Sequence, residues 1–145
     1  MTMARTKPNL PAALVDLHPD AWTEPFWLEA RKHRLVAPQC TSCGAFRMPP
    51  GPFCPKCRQQ DVAWIELSGR GTVYSFIVTH QALIPQLADY VPYVAAVVEL
   101  DDAPGIRLVT NLVDTEIDDI RIGMPVSVTW DDVHANATIP RFRPA

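Results

Sequence analysis

The chain has 145 residues, of which 48% are hydrophobic, and a formal net charge of −3. This length suits one domain with a small appendage, and the apolar content is sufficient for a buried core, so we expect a globular protein. The longest aliphatic stretch, residues 94–98, is far shorter than the ~18 residues that suggest a membrane span. Because no export or lipidation signal is visible at the N-terminus, we expect a soluble, cytoplasmic protein.

The charge is unevenly distributed along the chain. Residues 1–58 carry a net charge of +4 and residues 59–145 a net charge of −7. Between residues 30 and 60 there are six basic residues and no acid: Arg31, Lys32, Arg34, Arg47, Lys56 and Arg58. Two interpretations stay open: this stretch faces an anion, or it is solvated or complements the acidic second half.

The first 20 residues predict an arm without a core of its own. Pro8, Pro11 and Pro19 interrupt any helix, and the apolar residues between them are too few to form a core. The arm is expected to be either disordered or laid along a partner. We place the first boundary after residue 20, with a helix and metal ribbon in residues 21–65 and a barrel in residues 66–145.

A short amphipathic helix is predicted over residues 24–34. Thr23 is the expected N-cap, and Pro25 suits the first turn. Phe26, Trp27 and Ala30 recur at helical spacing. The two aromatic side chains either pack on the ribbon or dock a partner, and we retain both as candidate partner-binding residues.

The four cysteines of the chain form the most specific motif. Cys40, Cys43, Cys54 and Cys57 are arranged as C-x2-C, ten residues, C-x2-C. Two such turns supply the four sulfurs of a tetrahedral metal site, whereas paired disulfides are typical of small secreted domains. The spacing predicts one bound metal ion, with zinc favoured over iron.

Four thiolates close the coordination shell of zinc and leave no position for water, so a structural metal is predicted rather than a catalytic one. Structural zinc contributes an apparent ~10–16 kcal/mol at neutral pH. Residues 38–60 contain five prolines and no long apolar run. We therefore expect this ribbon to depend on its metal for folding.

After the ribbon, the hydrophobic period becomes that of β-strands. Residues 62–67 and 72–79 are predicted to form a hairpin, followed by strands at residues 93–100, 106–113, 126–130 and 137–142. One helical turn is expected over residues 114–120. The fold class is thus mainly β: a short N-terminal helix, a four-cysteine zinc ribbon, and a small closed barrel of the OB type.

No constellation of catalytic residues is apparent in the sequence. The chain lacks a Gly-x-Ser-x-Gly motif, a spare cysteine and a phosphate loop. His80, at the end of a predicted strand, is the best single candidate for a base, and the pairs of adjacent aspartates are typical of turns and strand ends. We expect that the chain is not catalytic alone.

Several motifs together resemble the DUF35 family, which combines a rubredoxin-like zinc ribbon with an OB fold. The resemblance covers about residues 25–145, and its motifs are P-F-W-x-E-A at 25–30, C-x2-C-G with C-P-x-C, S-G-R-G-T-V-Y-S-F at 68–76, P-Y-V-x-A-V-V-E-L at 92–100, R-I-G-M-x-V at 121–126, and P-R-F-R-P-A at 140–145.

The resemblance implies an accessory subunit of an enzyme that acts on CoA thioesters. The expected partner is a thiolase-like protein that carries out acyl transfer, condensation or retro-aldol cleavage, in a hetero-oligomer such as α2β2, and steroid side-chain degradation is one setting of the family. The alternative partner is a MaoC-like enoyl-CoA hydratase. We expect the partner to be a separate chain.

Two further hypotheses remain. Arg47 and Arg58 are candidates to bind the phosphates of acyl-CoA, because arginine holds phosphate by two hydrogen bonds. OB folds and zinc ribbons also bind nucleic acids, which gives a second class of function. The net charge of −7 on the barrel makes nucleic acid the weaker hypothesis, since a single-strand binder needs a basic groove.

Overall fold

The computed structural model describes residues 5–6 and 10–145. Its regular elements are one α-helix and seven β-strands, joined by loops with short 3-10 turns. Their bounds are α1 (Glu24–Ala30), β1 (Val36–Cys40), β2 (Val62–Glu66), β3 (Arg70–Thr79), β4 (Tyr93–Leu100), β5 (Arg107–Leu112), β6 (Pro125–His134) and β7 (Ala137–Pro144), with 3-10 turns at Ala12–Leu14, Pro85–Tyr90 and Ile117–Asp119.

Strands β1 and β2 form the two-stranded antiparallel sheet of the ribbon, in register from Val36↔Glu66 to Cys40↔Val62. The predicted hairpin between residues 62–67 and 72–79 is therefore wrong, because β2 pairs with β1. The chain does not reverse at Gly69 but passes into the barrel. Gly69 has a φ of 80°, and its carbonyl accepts the N–H of Val128 on β6 (2.8 Å).

The other five strands close into a barrel in the order β3-β4-β5-β7-β6. All pairings are antiparallel except that of β5 with β7, which is parallel. Alternate residues of β4 are buried inside the barrel, as period-2 alternation requires. They pack around Phe142, which is fully buried. The predicted fold class, mainly β with a five-stranded OB-like barrel, is confirmed.

The helix is shorter than predicted, because α1 ends at Ala30 and not at residue 34. His33 has a φ of 57°, which is outside the helical region. Thr23 does not cap the helix with its side chain. Instead, its hydroxyl bonds to Asp20, whose carboxylate accepts the N–H groups of Trp22 and Thr23 in the preceding turn.

The last two strands are longer than predicted, and β6 continues through Asp131 and Asp132. These aspartates were expected at a turn or a strand end, and that expectation is wrong. Asp131 is buried and pairs with Arg141 of β7 (3.2 Å), while Asp132 lies 2.9 Å from the ring nitrogen of His33. Contacts with Arg141 and His33 thus stabilise the two aspartates within the strand.

The described part of the N-terminal arm contacts the barrel of the same chain. Thr6 donates both its N–H (3.0 Å) and its hydroxyl (3.1 Å) to the carbonyl of Thr115, and the carbonyl of Val15 lies 3.0 Å from a ring nitrogen of His134. Residues 1–4 and 7–9 of the expected arm lie outside the described residues. In the described part of the chain, no helix is long and apolar enough to cross a membrane.

Candidate metal centre and the adjoining cleft

Two turns with the same hydrogen-bond pattern carry the four cysteines. The N–H of Cys40 donates to the carbonyl of Ala45, and the N–H of Cys54 donates to the carbonyl of Gln59, each at 2.8 Å. In both turns, the first cysteine is thus bonded to the residue five positions later. The C-x2-C spacing produces two equivalent turns, which direct their sulfurs toward one point.

The four sulfur atoms lie within 4.8 Å of one another. The Sγ atoms of Cys40 and Cys57 are 3.5 Å apart, as are those of Cys43 and Cys54. All four are free of disulfide bonds. The four predicted ligands are therefore arranged to hold one metal ion, and a set of four sulfurs fits structural zinc, which binds thiolates in a tetrahedron without water.

Backbone N–H groups prepare two of the thiols for ionisation. The backbone N–H of Cys57 lowers the pKa of Cys54 to about 6, and that of Cys43 lowers the pKa of Cys40. For Cys57, the backbone N–H of Gln59 lowers the pKa, but burial and the other three cysteines raise it to about 12. The pKa values diverge because hydrogen bonds among the cysteines favour the thiolate form of Cys54 and the thiol form of Cys57. Metal binding requires thiolates and therefore releases protons.

Arg47, a candidate CoA ligand, lies inside the ribbon with only 4% of its surface exposed. Its guanidinium donates to the carbonyl oxygens of Gly51 (2.9 Å) and Gln59 (3.2 Å). These bonds join the segment between the cysteine pairs to the end of the second turn. The contacts define a structural role for Arg47, and CoA binding by this residue stays a prediction.

Most of the basic stretch has partners within the chain. Arg31 donates to Asn136, while the charges of Lys32 and Arg34 are paired with Glu29, and Arg34 also with Glu66. The Arg34–Glu66 ion pair joins this stretch to the acidic second half of the chain, whereas Glu29 belongs to α1 in the first half. Lys56 and Arg58 are exposed, and no ion pair between described residues involves either of them.

A cleft of about 370 Å³ lies where the helix, the ribbon and the barrel meet. Phe26 is buried, and Trp27 is half-buried and packs edge-to-face against it, with ring centroids 5.0 Å apart. Both aromatic residues line the cleft, which the ribbon closes with Met48, Pro49 and Pro50. Partner binding by the two aromatic residues stays a prediction, and their position gives it a definite location.

The barrel wall of the cleft contains a buried polar network that the sequence did not reveal. Arg141, 6% exposed, bonds to the carboxylate of Asp131 and to the side-chain oxygen of Asn111 (2.5 Å). α1 packs against β7, and its aromatic side chains line the same cleft as Asn111 and Arg141. Only the position of the helix, which periodicity does not give, could have identified this network.

This architecture, a four-cysteine ribbon followed by a closed five-stranded barrel, defines a zinc-ribbon/OB-fold protein. Two family models match the chain: "ChsH2, rubredoxin-like zinc ribbon domain" at residues 27–63 and "ChsH2, C-terminal OB-fold domain" at residues 64–131. The chain belongs to the DUF35 family of zinc-ribbon/OB-fold proteins.

Curated relatives with similar sequences include two hydratase subunits and a scaffold protein. The chain is 49% identical over 121 residues to a probable enoyl-CoA hydratase alpha subunit of Thermomonospora curvata, covering 83% of this chain and 37% of the relative. It is 35% identical over 125 residues to the 3-oxo-4,17-pregnadiene-20-carboxyl-CoA hydratase alpha subunit of Mycobacterium tuberculosis, covering 81% and 39%. Against a DUF35 domain-containing scaffold protein of Methanocaldococcus jannaschii, identity is 35% over 100 residues, covering 68% and 69%. The chain thus spans less than two fifths of the length of either hydratase subunit.

A solved structure described as "Ltp2-ChsH2(DUF35) aldolase" contains a similar chain. The TM-score is 0.80 with 41% sequence identity, and the match covers 89% of this chain and 98% of that chain. Nearly the whole of that chain therefore corresponds to the ribbon and barrel described above.

Proposed function

We propose that this chain is a non-catalytic accessory subunit of an enzyme complex that acts on CoA thioesters, and that its partner is a thiolase-like aldolase or acyltransferase of the lipid-transfer-protein type. The observation that carries the proposal is the similarity to a chain of the Ltp2-ChsH2(DUF35) aldolase, which covers 98% of that chain at 41% identity. In this assignment the carbon–carbon bond chemistry belongs to the partner. The complex is expected to be a hetero-oligomer such as α2β2, with acyl-CoA as its ligand.

The alternative partner is a MaoC-like enoyl-CoA hydratase, which the names of two relatives favour. In both relatives, however, the part similar to this chain is less than two fifths of the protein. The aldolase chain, in contrast, corresponds to this chain almost from end to end. We therefore favour the thiolase-like partner and use the hydratase as the competing arm of the test.

The proposal includes a steroid-derived acyl group and a cytoplasmic location. A relative whose name contains a pregnadiene-carboxyl-CoA supports the steroid setting. The four cysteines, close together and free of disulfides, support a reducing compartment. The zinc ion, held by four thiolates, would stabilise the ribbon and take no part in the reaction.

Co-expression tests the proposal directly. The chain is produced with a thiolase-like protein and, separately, with a MaoC-like hydratase encoded near it, and each mixture is analysed by size exclusion. We expect a stoichiometric complex with the thiolase-like protein, and cleavage or acyl transfer on a steroid side-chain CoA thioester that requires both chains. Turnover by the purified chain alone would refute the accessory role.

A single-stranded oligonucleotide serves as the control for the nucleic-acid hypothesis. We expect no binding at 0.15 M salt, because the barrel portion is acidic. A complex with the hydratase and none with the thiolase-like protein would replace the favoured partner by the alternative one. Tight oligonucleotide binding, with no complex formed with either enzyme, would instead support a nucleic-acid-binding function.

A further inference from the structure

Strand β5 presents an open edge in the wall of the cleft. The N–H of Leu100 donates to the carbonyl of Ile106 (3.0 Å), so Leu100 and Ile106 form a hydrogen-bonded pair between the end of β4 and the start of β5. Hydrogen-bonded and non-bonded pairs alternate along an antiparallel ladder. Leu108 and Thr110 therefore bond to β4, while the backbone N–H and C=O of Val109 point away from it.

The ladder between β5 and its other neighbour, β7, does not extend to Val109. β7 pairs with β5 at Leu112↔Phe142, and Pro140 of β7 has no N–H to donate. The carbonyl of Pro140 accepts the hydroxyl of Thr110 instead (2.9 Å). Among the described residues, the backbone of Val109 has no ladder partner on this side, and its side chain is 76% exposed.

The polar side chains of the cleft wall are already hydrogen-bonded. Arg141, the one charged residue that the described part of the chain contributes to the lining, is paired with Asp131 and Asn111. The amide nitrogen of Asn111 donates to the carbonyl of Val94 (3.0 Å). Phosphate would find no unpaired cation here. The cleft instead combines apolar walls with a backbone donor and acceptor on one strand edge.

We propose that an extended segment of the partner subunit docks in this cleft, adding a short strand to the edge of β5 at Val109 and placing a bulky apolar side chain against Trp27 and Pro50. Strand addition supplies main-chain hydrogen bonds, and a pocket beside the edge selects the side chain. A volume of about 370 Å³ lies within the range of ligand pockets. The inference rests on the proposed function, because the occupant is a segment of that partner.

A proline substitution tests the backbone contact. Val109→Pro removes the outward N–H but no bond to β4, and proline is tolerated at sheet edges. Val109→Thr is the matched control, since it retains the N–H and the branched side chain. We expect Val109→Pro to weaken binding of the partner at least tenfold and Val109→Thr to change it less than twofold, with equal zinc content and Tm in both free variants.

Amide hydrogen exchange of the wild-type chain provides a second measurement that needs no variant. Complex formation is expected to slow exchange at Val109 at least tenfold, and this result decides the question if Val109→Pro does not fold. Equal binding by both variants, with unchanged exchange at Val109, would overturn the docking mode while the complex itself upholds the proposed function. Failure of the wild-type chain to bind either enzyme would overturn the proposed function and, with it, this inference.

Discussion

Gly44 and Arg58 occupy equivalent positions in the two metal-binding turns. Each directly follows the second cysteine of its pair, and its N–H donates to the carbonyl of the first cysteine, at 2.9 Å for Gly44 and 3.0 Å for Arg58. Both have positive φ values, 77° and 65°. Glycine adopts this conformation freely, whereas other L-residues lose about 1–2 kcal/mol in it. The second turn therefore holds a strained arginine.

This strain predicts that Arg58→Gly stabilises the protein. We expect a gain of about 1 kcal/mol in the free energy of unfolding of the zinc-loaded chain, because glycine removes the left-handed penalty. Gly44→Ala is the reciprocal variant and should cost about 1–2 kcal/mol. Denaturant unfolding of both variants measures the effect, and an Arg58→Gly protein no more stable than wild type would contradict the argument.

A separate prediction concerns the charge of Arg58, which is exposed. If Arg58 binds a phosphate of acyl-CoA in the complex, Arg58→Gly should raise the KM about tenfold, because a charged hydrogen bond contributes about 1.5–3 kcal/mol. Arg58→Lys retains the charge and should have a smaller effect. Size exclusion establishes that each complex is intact, and an unchanged KM for an intact Arg58→Gly complex rules out the phosphate contact.

The geometry of the cysteines predicts one equivalent of zinc per chain. Cys54→Ser should lose the metal and unfold the ribbon, because three thiolates no longer close the site. Ser42→Ala, in the first metal-binding turn but not at a ligand position, should retain the metal. Metal analysis and amide exchange over residues 38–60 measure both effects. Wild-type protein with far less than one equivalent of metal and with disulfide-bonded cysteines would refute the prediction.

Arg47 is predicted to stabilise the ribbon through its bonds to two carbonyl groups. Arg47→Met keeps most of the side-chain volume but removes the guanidinium donor to the carbonyl of Gly51 and the second donor to the carbonyl of Gln59, which keeps the N–H of Cys54. We therefore expect a loss of about 2 kcal/mol. Lys56→Met, at an exposed position nearby, should change stability by less than about 0.5 kcal/mol. Denaturant unfolding of the zinc-loaded proteins compares them, and equal stabilities would show that the buried bonds contribute little.

Asp102 gives the stability a defined pH dependence. The backbone N–H of Ser68, followed by the Ser68 hydroxyl, lowers the pKa of Asp102 below its ordinary value of 3.8. A carboxyl with a lower pKa in the folded state stabilises the protein above the unfolded pKa, and this contribution is lost as the pH falls through the folded pKa.

Asp102→Asn should therefore have a lower Tm than wild type at pH 7, and the difference should shrink below about pH 4. Comparing the two proteins at each pH cancels the general effect of acid on the zinc site, because both carry the same cysteines. A Tm difference that stays constant between pH 3 and pH 7 would contradict the assignment.

The metal centre and the barrel could be predicted because local patterns determine them. The C-x2-C spacing places two sulfurs in one turn, and the alternation over Tyr93–Leu100 reflects one buried face. The pairing of β2 with β1 could not be predicted, because alternation shows that a strand exists but not which strand lies beside it. The burial of Arg141 was missed for a related reason, since it depends on where α1 packs.

The tip of the ribbon forms one wall of the cleft, and this position couples the metal to whatever occupies the cleft. If zinc holds Met48 and Pro50 in place and thereby raises the affinity for an occupant, the occupant must raise the affinity for zinc by the same factor. The rate at which a chelator removes the metal then becomes a measure of cleft occupancy. Chains outside a complex would lose their zinc first. Zinc depletion would therefore affect unassembled subunits before assembled ones.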